Sequence, residues 1–181
     1  MKIDLMILAA GYSRRFQGNK LLYPYAGKPL IQHTFDQINP ALFHRIIVVT
    51  QYPKVMQLAQ TYHFSCVYNE DPSRGISSSI LCGMHALTKS EAILFLVADQ
   101  PHIRKQTLAK MVQLANPQQI ISAYDQEIKN PMLFPKRYFP QLQTLTGDHG
   151  AKKIALQHID QVLCVSCIQQ ELQDIDQRED I

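Results

Sequence analysis

The stretch that decides the fold is Ile3-Asp4-Leu5-Met6-Ile7-Leu8-Ala9-Ala10-Gly11, an apolar run of strand length that ends in two alanines and a glycine. Three more apolar runs of similar length follow, at 46–50, 64–68 and 92–97. Continuous runs of this kind are typical of strands that are covered on both faces. We therefore expect these four segments to be neighbouring strands of one buried sheet.

Segments with helical spacing lie between the apolar runs. Ile76, Ile80, Met84 and Leu87 recur at helical intervals, and residues 108–115 show a similar pattern. Alternating strands and helices predict right-handed crossovers and a mainly parallel sheet with helices on both faces. The sequence therefore predicts an α/β fold, a doubly wound, Rossmann-like three-layer sandwich, formed as one domain over residues 1–181.

The pattern is less regular after Tyr124. Prolines at 131, 135 and 140 interrupt it, and we expect a small insertion or edge strands there. A helix is predicted around 150–158 and a strand around 162–168. That strand contains Cys164 and Cys167. No second pair stands at zinc-finger spacing, which argues against a metal site, and we interpret the thiols as buried and structural, with a redox pair as the alternative.

The composition is that of an ordinary globular protein, with 46% hydrophobic and 18% charged residues and a net charge of +3. This charge is too small to indicate a nucleic-acid partner by itself. No apolar run approaches the roughly 20 residues that span a bilayer, and the N-terminus fits a first strand better than a signal peptide. We expect a cytoplasmic protein that binds neither nucleic acid nor a membrane.

The loop after the first strand is suited to phosphate. Residues 9–11 carry almost no side chain, so backbone N–H groups can approach an anion. Ser13 adds a hydroxyl, while Arg15 and Lys20 can neutralise a polyphosphate. The alternative interpretation is a basic surface loop, which the small residues directly after a strand make less favourable.

A second polar segment, Gly75-Ile76-Ser77-Ser78-Ser79, opens the helix at 76–87. The free N–H groups of a first helical turn attract anions or polar base edges. Simple capping by Ser77 is the alternative. Asn69 ends the preceding strand, so its amide is predicted at the same edge of the sheet.

Asp99 follows the apolar run at 92–97. A carboxylate at a strand end suits a divalent cation that also binds phosphate oxygens, although a helix cap is the alternative. Asp174 or Asp176 could supply a second carboxylate, since alternation places both on one face of a strand. Residues 147–150 form a glycine-bracketed turn that either contacts an acceptor phosphate or simply starts a helix.

These segments together resemble the small nucleotidyltransferases of molybdenum cofactor biosynthesis, particularly the molybdenum cofactor cytidylyltransferases. Five motifs carry the resemblance in the family's order: Leu8-Ala9-Ala10-Gly11-x-Ser13-x-Arg15-Phe16 with Lys20-Leu21-Leu22; Gly27-x-Pro29-Leu30; Gly75-x-Ser77-x-Ser79-Ile80 with Gly83; Asp99-Gln100-Pro101; and Gly147-Asp148-x-Gly150-Ala151 with Asp174-Ile175-Asp176. The chain departs from the family at Gln17, Asn130 and Gln177, which replace two glycines and a threonine.

The resemblance implies the nucleotide-diphospho-sugar transferase fold, a Mg²⁺ cofactor and the following site. Catalysis is expected of Arg15, Lys20 and Asp99, and the metal is expected on Asp99 and Asp176 (or Asp174). The expected nucleotide-binding residues are Leu8, Ala9, Ala10, Gly11, Ser13, Arg15, Lys20, Asn69, Gly75, Ser77 and Ser79. The expected acceptor-binding residues are Gln100, Pro101, Asn130, Pro131, Gly147, Asp148 and Gly150.

The implied substrates are CTP (or GTP) and a phosphorylated acceptor of the molybdopterin type, and a molybdoenzyme or its chaperone is an implied partner. Ala10 favours CTP, because the guanylyl branch usually has a second glycine there. Three alternatives stay open: a guanylyltransferase of the same pathway, a transferase acting on another phosphorylated small molecule, and a non-catalytic nucleotide-binding chaperone for a molybdoenzyme.

Overall fold

The computed structural model describes residues 1–13, 16 and 18–177, and within this part the chain forms nine strands and six α-helices. The strands are β1 (Ile3–Leu8), β2 (Pro24–Tyr25), β3 (Lys28–Pro29), β4 (Arg45–Thr50), β5 (Ser65–Tyr68), β6 (Ala92–Val97), β7 (Ile120–Asp125), β8 (Glu127–Pro135) and β9 (Val162–Ser166). The helices are α1 (Leu30–Phe35), α2 (Pro53–Thr61), α3 (Ile76–Ala86), α4 (Lys105–Leu114), α5 (Phe139–Leu142) and α6 (Lys152–Gln157).

Seven strands form the central sheet, in the order β5-β4-β1-β6-β8-β7-β9. Strand β1 pairs in parallel with both β4 and β6, β4 pairs in parallel with β5, and β7 with β9. Strand β8 is antiparallel to both β6 and β7. The predicted mainly parallel α/β architecture is therefore confirmed, and the four apolar runs are adjacent strands.

The prediction of an insertion or edge strands after Tyr124 is wrong, because β8 lies inside the sheet between β6 and β7. Its prolines are compatible with this position. Residues 130 and 131 fall where the pairing with β7 shifts register, so Pro131 lies in a bulge and replaces no ladder hydrogen bond. Pro135 is the last residue of the strand.

Alternate residues of each central strand face the two layers of helices. On β1, Leu5 and Ile7 pack in the cluster that contains residues of α1, α2 and α4, whereas Met6 packs in the cluster that contains residues of α3, α5 and α6. Full burial of both faces explains the continuous apolar runs. The parallel pairing of β1 with β4 and β6 brings the carboxyl ends of these three strands to one edge of the sheet.

The cysteines are less buried than the sequence suggests. All four are free thiols; Cys164 is exposed on the edge strand β9, and the other three are half-buried. The prediction of buried structural thiols is therefore wrong for Cys164, because Cys164 and Ser166 alternate with the buried Val165 and lie on a face of β9 that is open to solvent. None of the helices in the described part of the chain is both long and apolar enough to span a bilayer.

Candidate functional site

A cavity of about 430 Å³ lies at the carboxyl edge of the sheet, where β1, β6 and the start of α3 meet. Its volume is in the range of small-ligand sites, roughly 300–1,000 Å³. The residues proposed for substrate or metal that line it are Leu8, Ala9, Ala10, Gly11, Ser13, Lys20, Gly75, Ser79, Asp99, Asp148 and Asp176. Segments that are far apart in the sequence thus come together in one cavity.

The loop after β1 forms one wall of this cavity. Ala9 and Ala10 are buried, and a Cβ at Gly11 would meet none of the described residues within 4 Å. Ser13 adopts a positive φ of 51°, and its hydroxyl is buried with no hydrogen-bond partner among the described residues. A buried hydroxyl with no partner among these residues is available to a ligand, because an unmade hydrogen bond is costly there. Arg15 and Gln17 lie outside the described residues.

The side chains that hold this loop were not predicted from the sequence. Residues 50–52, at the end of β4, donate hydrogen bonds to the carbonyls of residues 9–11. Their position at the carboxyl edge of the sheet was the only available signal, because contacts between a side chain and a distant backbone carbonyl leave no pattern in a sequence.

Gly75 opens the second wall of the cavity at the start of α3. Its φ is +84°, and a Cβ at this position would lie under 3.0 Å from the Gly147 carbonyl group and from the carboxylate of Asp148. The N–H of Ser77 also donates to the carbonyl oxygen of Gly147 at 3.2 Å. Glycine at 75 therefore lets the 147–148 turn lie against α3, which places Asp148 at the cavity.

Two predicted nucleotide-binding residues lie beside the cavity rather than on it. The amide of Asn69 donates to the hydroxyls of Ser78 and Ser79 at 2.9 and 3.0 Å, and the residue is buried. The Ser77 hydroxyl donates to the carbonyl of Arg74 at 3.5 Å. Both residues line a neighbouring cavity of about 570 Å³. Their hydrogen bonds go to residues at or just before the start of α3 and support that part of the helix.

Lys20 joins the two carboxylates that were predicted to bind metal. Its Nζ lies 2.6 Å from Asp99 Oδ2 and 3.0 Å from Asp176 Oδ1. Burial disfavours the lysine charge, but attraction to Asp99 and Asp176 outweighs this effect and raises the pKa of Lys20. The Lys20 amine is therefore protonated at neutral pH. Its position is within hydrogen-bond distance of both carboxylates, so one oxygen of each converges there.

The C-terminal segment holds Asp176 in place without forming a strand. Residues 173–177 have no strand assignment, so the predicted strand is wrong there. The side chain of Ile175 is buried beside Phe16 and Leu30, and its N–H donates to the carbonyl of Asp99 at 3.0 Å. Side-chain packing and this backbone hydrogen bond, rather than a ladder of strand hydrogen bonds, hold the segment in position.

Asp174 is exposed on one side and does not line the cavity, so the structure favours Asp176 as the partner of Asp99. Desolvation of its carboxyl by surrounding protein atoms, followed by repulsion from the Asp99 carboxylate, raises the pKa of Asp174 to about 6. The described residues hold no group of three or more His, Cys, Asp or Glu side chains arranged for a metal. Any cation here would need further oxygens from a substrate or water.

The predicted acceptor residues fall into two groups, one between β6, β8 and the C-terminal segment and one in the turn at 147–150. Gln100 is only 2% exposed, and its amide donates to the carbonyls of Asn130 and Leu172, both at 3.3 Å. Pro101 and Pro131 are buried, and the Asn130–Pro131 peptide bond is cis. Gly150 packs near Ile76, at the base of the turn that carries Asp148. Of this predicted set, Asp148 lines the main cavity.

Comparison with known proteins identifies the family to which this fold and cavity belong. The model of the MobA-like NTP transferase domain matches residues 5–162. The chain belongs to this family. The resemblance to small nucleotidyltransferases is thus confirmed, and membership supports nucleotidyltransferase activity.

Two curated relatives in this comparison have different names. The purine catabolism protein PucB of Bacillus subtilis is 26% identical over 160 residues, which cover 82% of this chain and 78% of the relative. Nicotine blue oxidoreductase of Paenarthrobacter nicotinovorans is 28% identical over 160 residues, with coverage of 81% and 78%. These two names do not agree on a substrate.

Solved structures share the fold at low sequence identity. A nucleotidyl transferase from Methanothermobacter thermautotroptrophicus has a TM-score of 0.86 at 21% identity, over 99% of this chain and 94% of that one. Rv0371c from Mycobacterium tuberculosis H37Rv has a TM-score of 0.81 at 23% identity, with coverage of 99% and 95%. Rv0371c has also been solved in complex with manganese. The nucleotide-diphospho-sugar transferase fold is confirmed.

Proposed function

We propose that the chain transfers the cytidylyl group of CTP to the terminal phosphate of a molybdopterin-type acceptor, with release of pyrophosphate. The observation that carries this proposal is the Lys20–Asp99–Asp176 cluster, which lies in the same cavity as the small-residue loop. The cavity combines a cation that can neutralise phosphate, two carboxylates that can bind a metal, and a wall of backbone that can approach an anion. A polyanion bound together with a metal requires these groups. The family supports nucleotidyl transfer, whereas CTP and the acceptor are the finer part of the proposal.

The nucleotide is proposed to bind along the loop after β1 and the start of α3. The backbone N–H groups of residues 10 and 11 and the Ser13 hydroxyl, which has no partner among the described residues, would meet the phosphates. Lys20 would neutralise their charge together with Arg15. Gly75 and Ser79 would contact the nucleoside from the opposite wall. Asn69 and Ser77 would act indirectly, by fixing the first turn of α3.

The carboxylates fit a hard divalent cation. Asp99 and Asp176 offer oxygen ligands that converge on one point, already occupied by the Lys20 ammonium. Mg²⁺ usually takes one or two carboxylates and completes its shell with phosphate oxygens and water. When bound, Mg²⁺ would supply neutralisation of the phosphate charge. Lys20 would then exchange its contacts with the carboxylates for contacts with the nucleotide.

In the proposed reaction, an oxygen of the acceptor phosphate attacks the α-phosphorus of CTP. One new P–O bond forms, the bond between the α-phosphorus and its bridging oxygen to the β-phosphate breaks, and that electron pair leaves with pyrophosphate. Two anions must approach each other, so Lys20 would act by neutralisation and the loop by positioning. The attacking oxygen is already ionised at neutral pH, and no general base is required.

The acceptor is proposed to enter beside Asp148, which lines the cavity. Gln100 and residues 130–131, joined by their mutual contact, are proposed to shape the acceptor site beyond the end of β6. Support for a molybdopterin-type molecule comes from the sequence resemblance. A molybdoenzyme or its chaperone would then be the recipient of the product. The preference for CTP is assigned to Ala10, whose methyl group in the cavity wall takes up room that a purine would need.

The test is pyrophosphate release from CTP and from GTP in the presence of Mg²⁺, with molybdopterin as acceptor, for the wild type and Ala10→Gly. We expect the wild type to favour CTP by tens to hundreds of times in kcat/KM, since a methyl-sized difference is worth about 1–3 kcal/mol. Ala10→Gly should narrow this gap by improving the use of GTP.

Other results would select an alternative. A wild-type preference for GTP indicates a guanylyltransferase, and release with sugar or alcohol phosphates but not with molybdopterin indicates another acceptor. Tight Mg·NTP binding without pyrophosphate release from any acceptor indicates a nucleotide-binding chaperone.

A further inference from the structure

The end of β4 carries three consecutive side chains that bind three consecutive carbonyl groups of the loop after β1. Strand β4 lies next to β1, and the N–H of Ala9 donates to the carbonyl of Val49 at 2.8 Å, which extends the pairing into the loop. Beyond this point, side chains instead of backbone groups donate hydrogen bonds to the loop. Thr50 Oγ1 donates to Ala9 O at 2.9 Å, Gln51 Nε2 to Ala10 O at 2.7 Å, and Tyr52 OH to Gly11 O at 2.8 Å.

These hydrogen bonds determine which way the loop's peptide groups face. A trans peptide unit is planar, and its C=O and N–H point in opposite directions. Fixing the carbonyls of residues 9–11 toward β4 therefore turns the following N–H groups away from β4. Among the described residues, the N–H groups of Ala10 and Gly11 have no hydrogen-bond partner. They are donors held in position, and none of the described residues accepts a hydrogen bond from them.

We propose that Thr50, Gln51 and Tyr52 form a carbonyl clamp, which presets the loop after β1 to receive the triphosphate. The inference rests on the proposed function, because it assigns the loop to nucleotide. A carbonyl oxygen that turned toward the cavity would repel phosphate. The clamp prevents this turn before the nucleotide arrives, so binding does not have to pay for ordering the loop.

The three members of the carbonyl clamp support one another. Thr50 is fully buried, and its Oγ1 also accepts the N–H of Tyr52 at 3.1 Å. Gln51 Nε2 lies 3.4 Å from the Tyr52 hydroxyl. Burial, followed by interaction with Tyr12, raises the pKa of Tyr52, so its phenol keeps the proton that it donates. A connected network of this kind is more rigid than separate hydrogen bonds.

The experiment compares Tyr52→Phe and Gln51→Met with a matched control, Tyr62→Phe. Each clamp variant keeps the size of the side chain and removes one donor to the loop. Tyr62 is a matched tyrosine, because its hydroxyl donates at 2.6 Å to Asp36 and neither residue lines the cavity. The measurements are amide exchange at residues 10–12 without nucleotide, the Kd for Mg·CTP, and kcat at saturating nucleotide.

We expect each clamp variant to exchange faster at residues 10–12 and to bind Mg·CTP about two- to tenfold more weakly, which corresponds to one hydrogen bond. The kcat should stay within about twofold of wild type, because bound nucleotide restores the loop conformation and only the binding-competent fraction falls. Tyr62→Phe should leave both exchange and Kd at the wild-type values, even if all three variants lose similar thermal stability.

Two outcomes would overturn parts of the account separately. A wild type that binds Mg·CTP, with Tyr52→Phe and Gln51→Met matching Tyr62→Phe in exchange and in Kd, overturns the carbonyl clamp and leaves the proposed function standing. A wild type that binds no Mg·NTP overturns the proposed function, and with it the clamp's role in binding, whatever the exchange rates are.

Discussion

The carboxyl edge of the sheet is built differently on its two sides. On the side proposed to bind nucleotide, called the nucleotide side, β5, β4, β1 and β6 run parallel, and the loops directly after them carry the polar groups. On the side proposed to bind the acceptor, called the acceptor side and formed by β8, β7 and β9, an antiparallel strand with a bulge at 130–131 meets Gln100 and the C-terminal segment. The nucleotide side thus depends on local loop geometry, whereas the acceptor side depends on contacts between distant segments. Substitutions on the two sides should separate nucleotide kinetics from acceptor kinetics.

Asp99, at the junction of the two sides, should give the largest effect. Asp99→Asn removes a carboxylate charge from the cluster with Lys20, and we expect kcat/KM to fall by about 10²–10³, equivalent to roughly 3–4 kcal/mol. Asp36→Asn is the matched control, since Asp36 forms an exposed ion pair with Lys28. Steady-state kinetics at saturating Mg²⁺ provide the measurement. Activity of Asp99→Asn within a few-fold of the wild type would argue against the metal assignment.

Lys20→Ala should have the next largest effect, and on nucleotide parameters. The ammonium would meet the phosphates in both the ground state and the transition state, so we expect a higher KM for CTP and a lower kcat. A charge-assisted contact worth roughly 1.5–3 kcal/mol corresponds to about ten- to hundredfold in kcat/KM. Lys28→Ala, which breaks a surface ion pair, is the control. Unchanged kinetics in Lys20→Ala would mean that the lysine only pairs the two aspartates.

Alanine substitutions at Gly75 and Gly27 distinguish the cost of a positive φ from the cost of a steric clash. Both have a positive φ, of +84° and +87°, but a Cβ at residue 27 meets nothing within 4 Å, whereas one at residue 75 would collide with the 147–148 turn. We expect Gly27→Ala to lose about 1 kcal/mol of unfolding free energy. Gly75→Ala should lose about 1–3 kcal/mol more, with a raised KM for nucleotide. Urea unfolding measures both, and equal losses would show that the turn does not press on α3.

The smallest effect is expected on the acceptor side, at Gln100. Gln100→Met keeps the shape of the side chain but removes its bonds to Asn130 and Leu172. These hydrogen bonds hold β8 and the C-terminal segment together, and Gln100 does not line the cavity. We therefore expect the acceptor KM to rise several-fold and the CTP KM to stay within about twofold. Gln32→Met serves as control, since its amide contacts Tyr62. A shift in the CTP KM alone would break the proposed division between the two sides.

The sequence reveals much of the nucleotide side and little of the acceptor side, for a physical reason. Strands buried on both faces produce continuous apolar runs that can be recognised in a sequence. Parallel pairing brings the ends of these strands to one edge of the sheet, so Gly11 and Asp99 could be predicted there. Strand β8 was missed because its prolines occupy a bulge and a strand end, and neither place follows a periodic pattern. The bonds from residues 50–52 to the loop carbonyls were missed because backbone acceptors are identical at every residue.

The most direct measurement is the transfer of label to molybdopterin from CTP radiolabelled at the α-phosphorus, followed together with pyrophosphate release. We expect label to appear on the acceptor in an amount equal to the pyrophosphate released, and we expect both to require Mg²⁺. Asp99→Asn should lose both activities, whereas Asp36→Asn should keep them. Pyrophosphate release without label on the acceptor, or label transfer that is independent of Asp99, would contradict it.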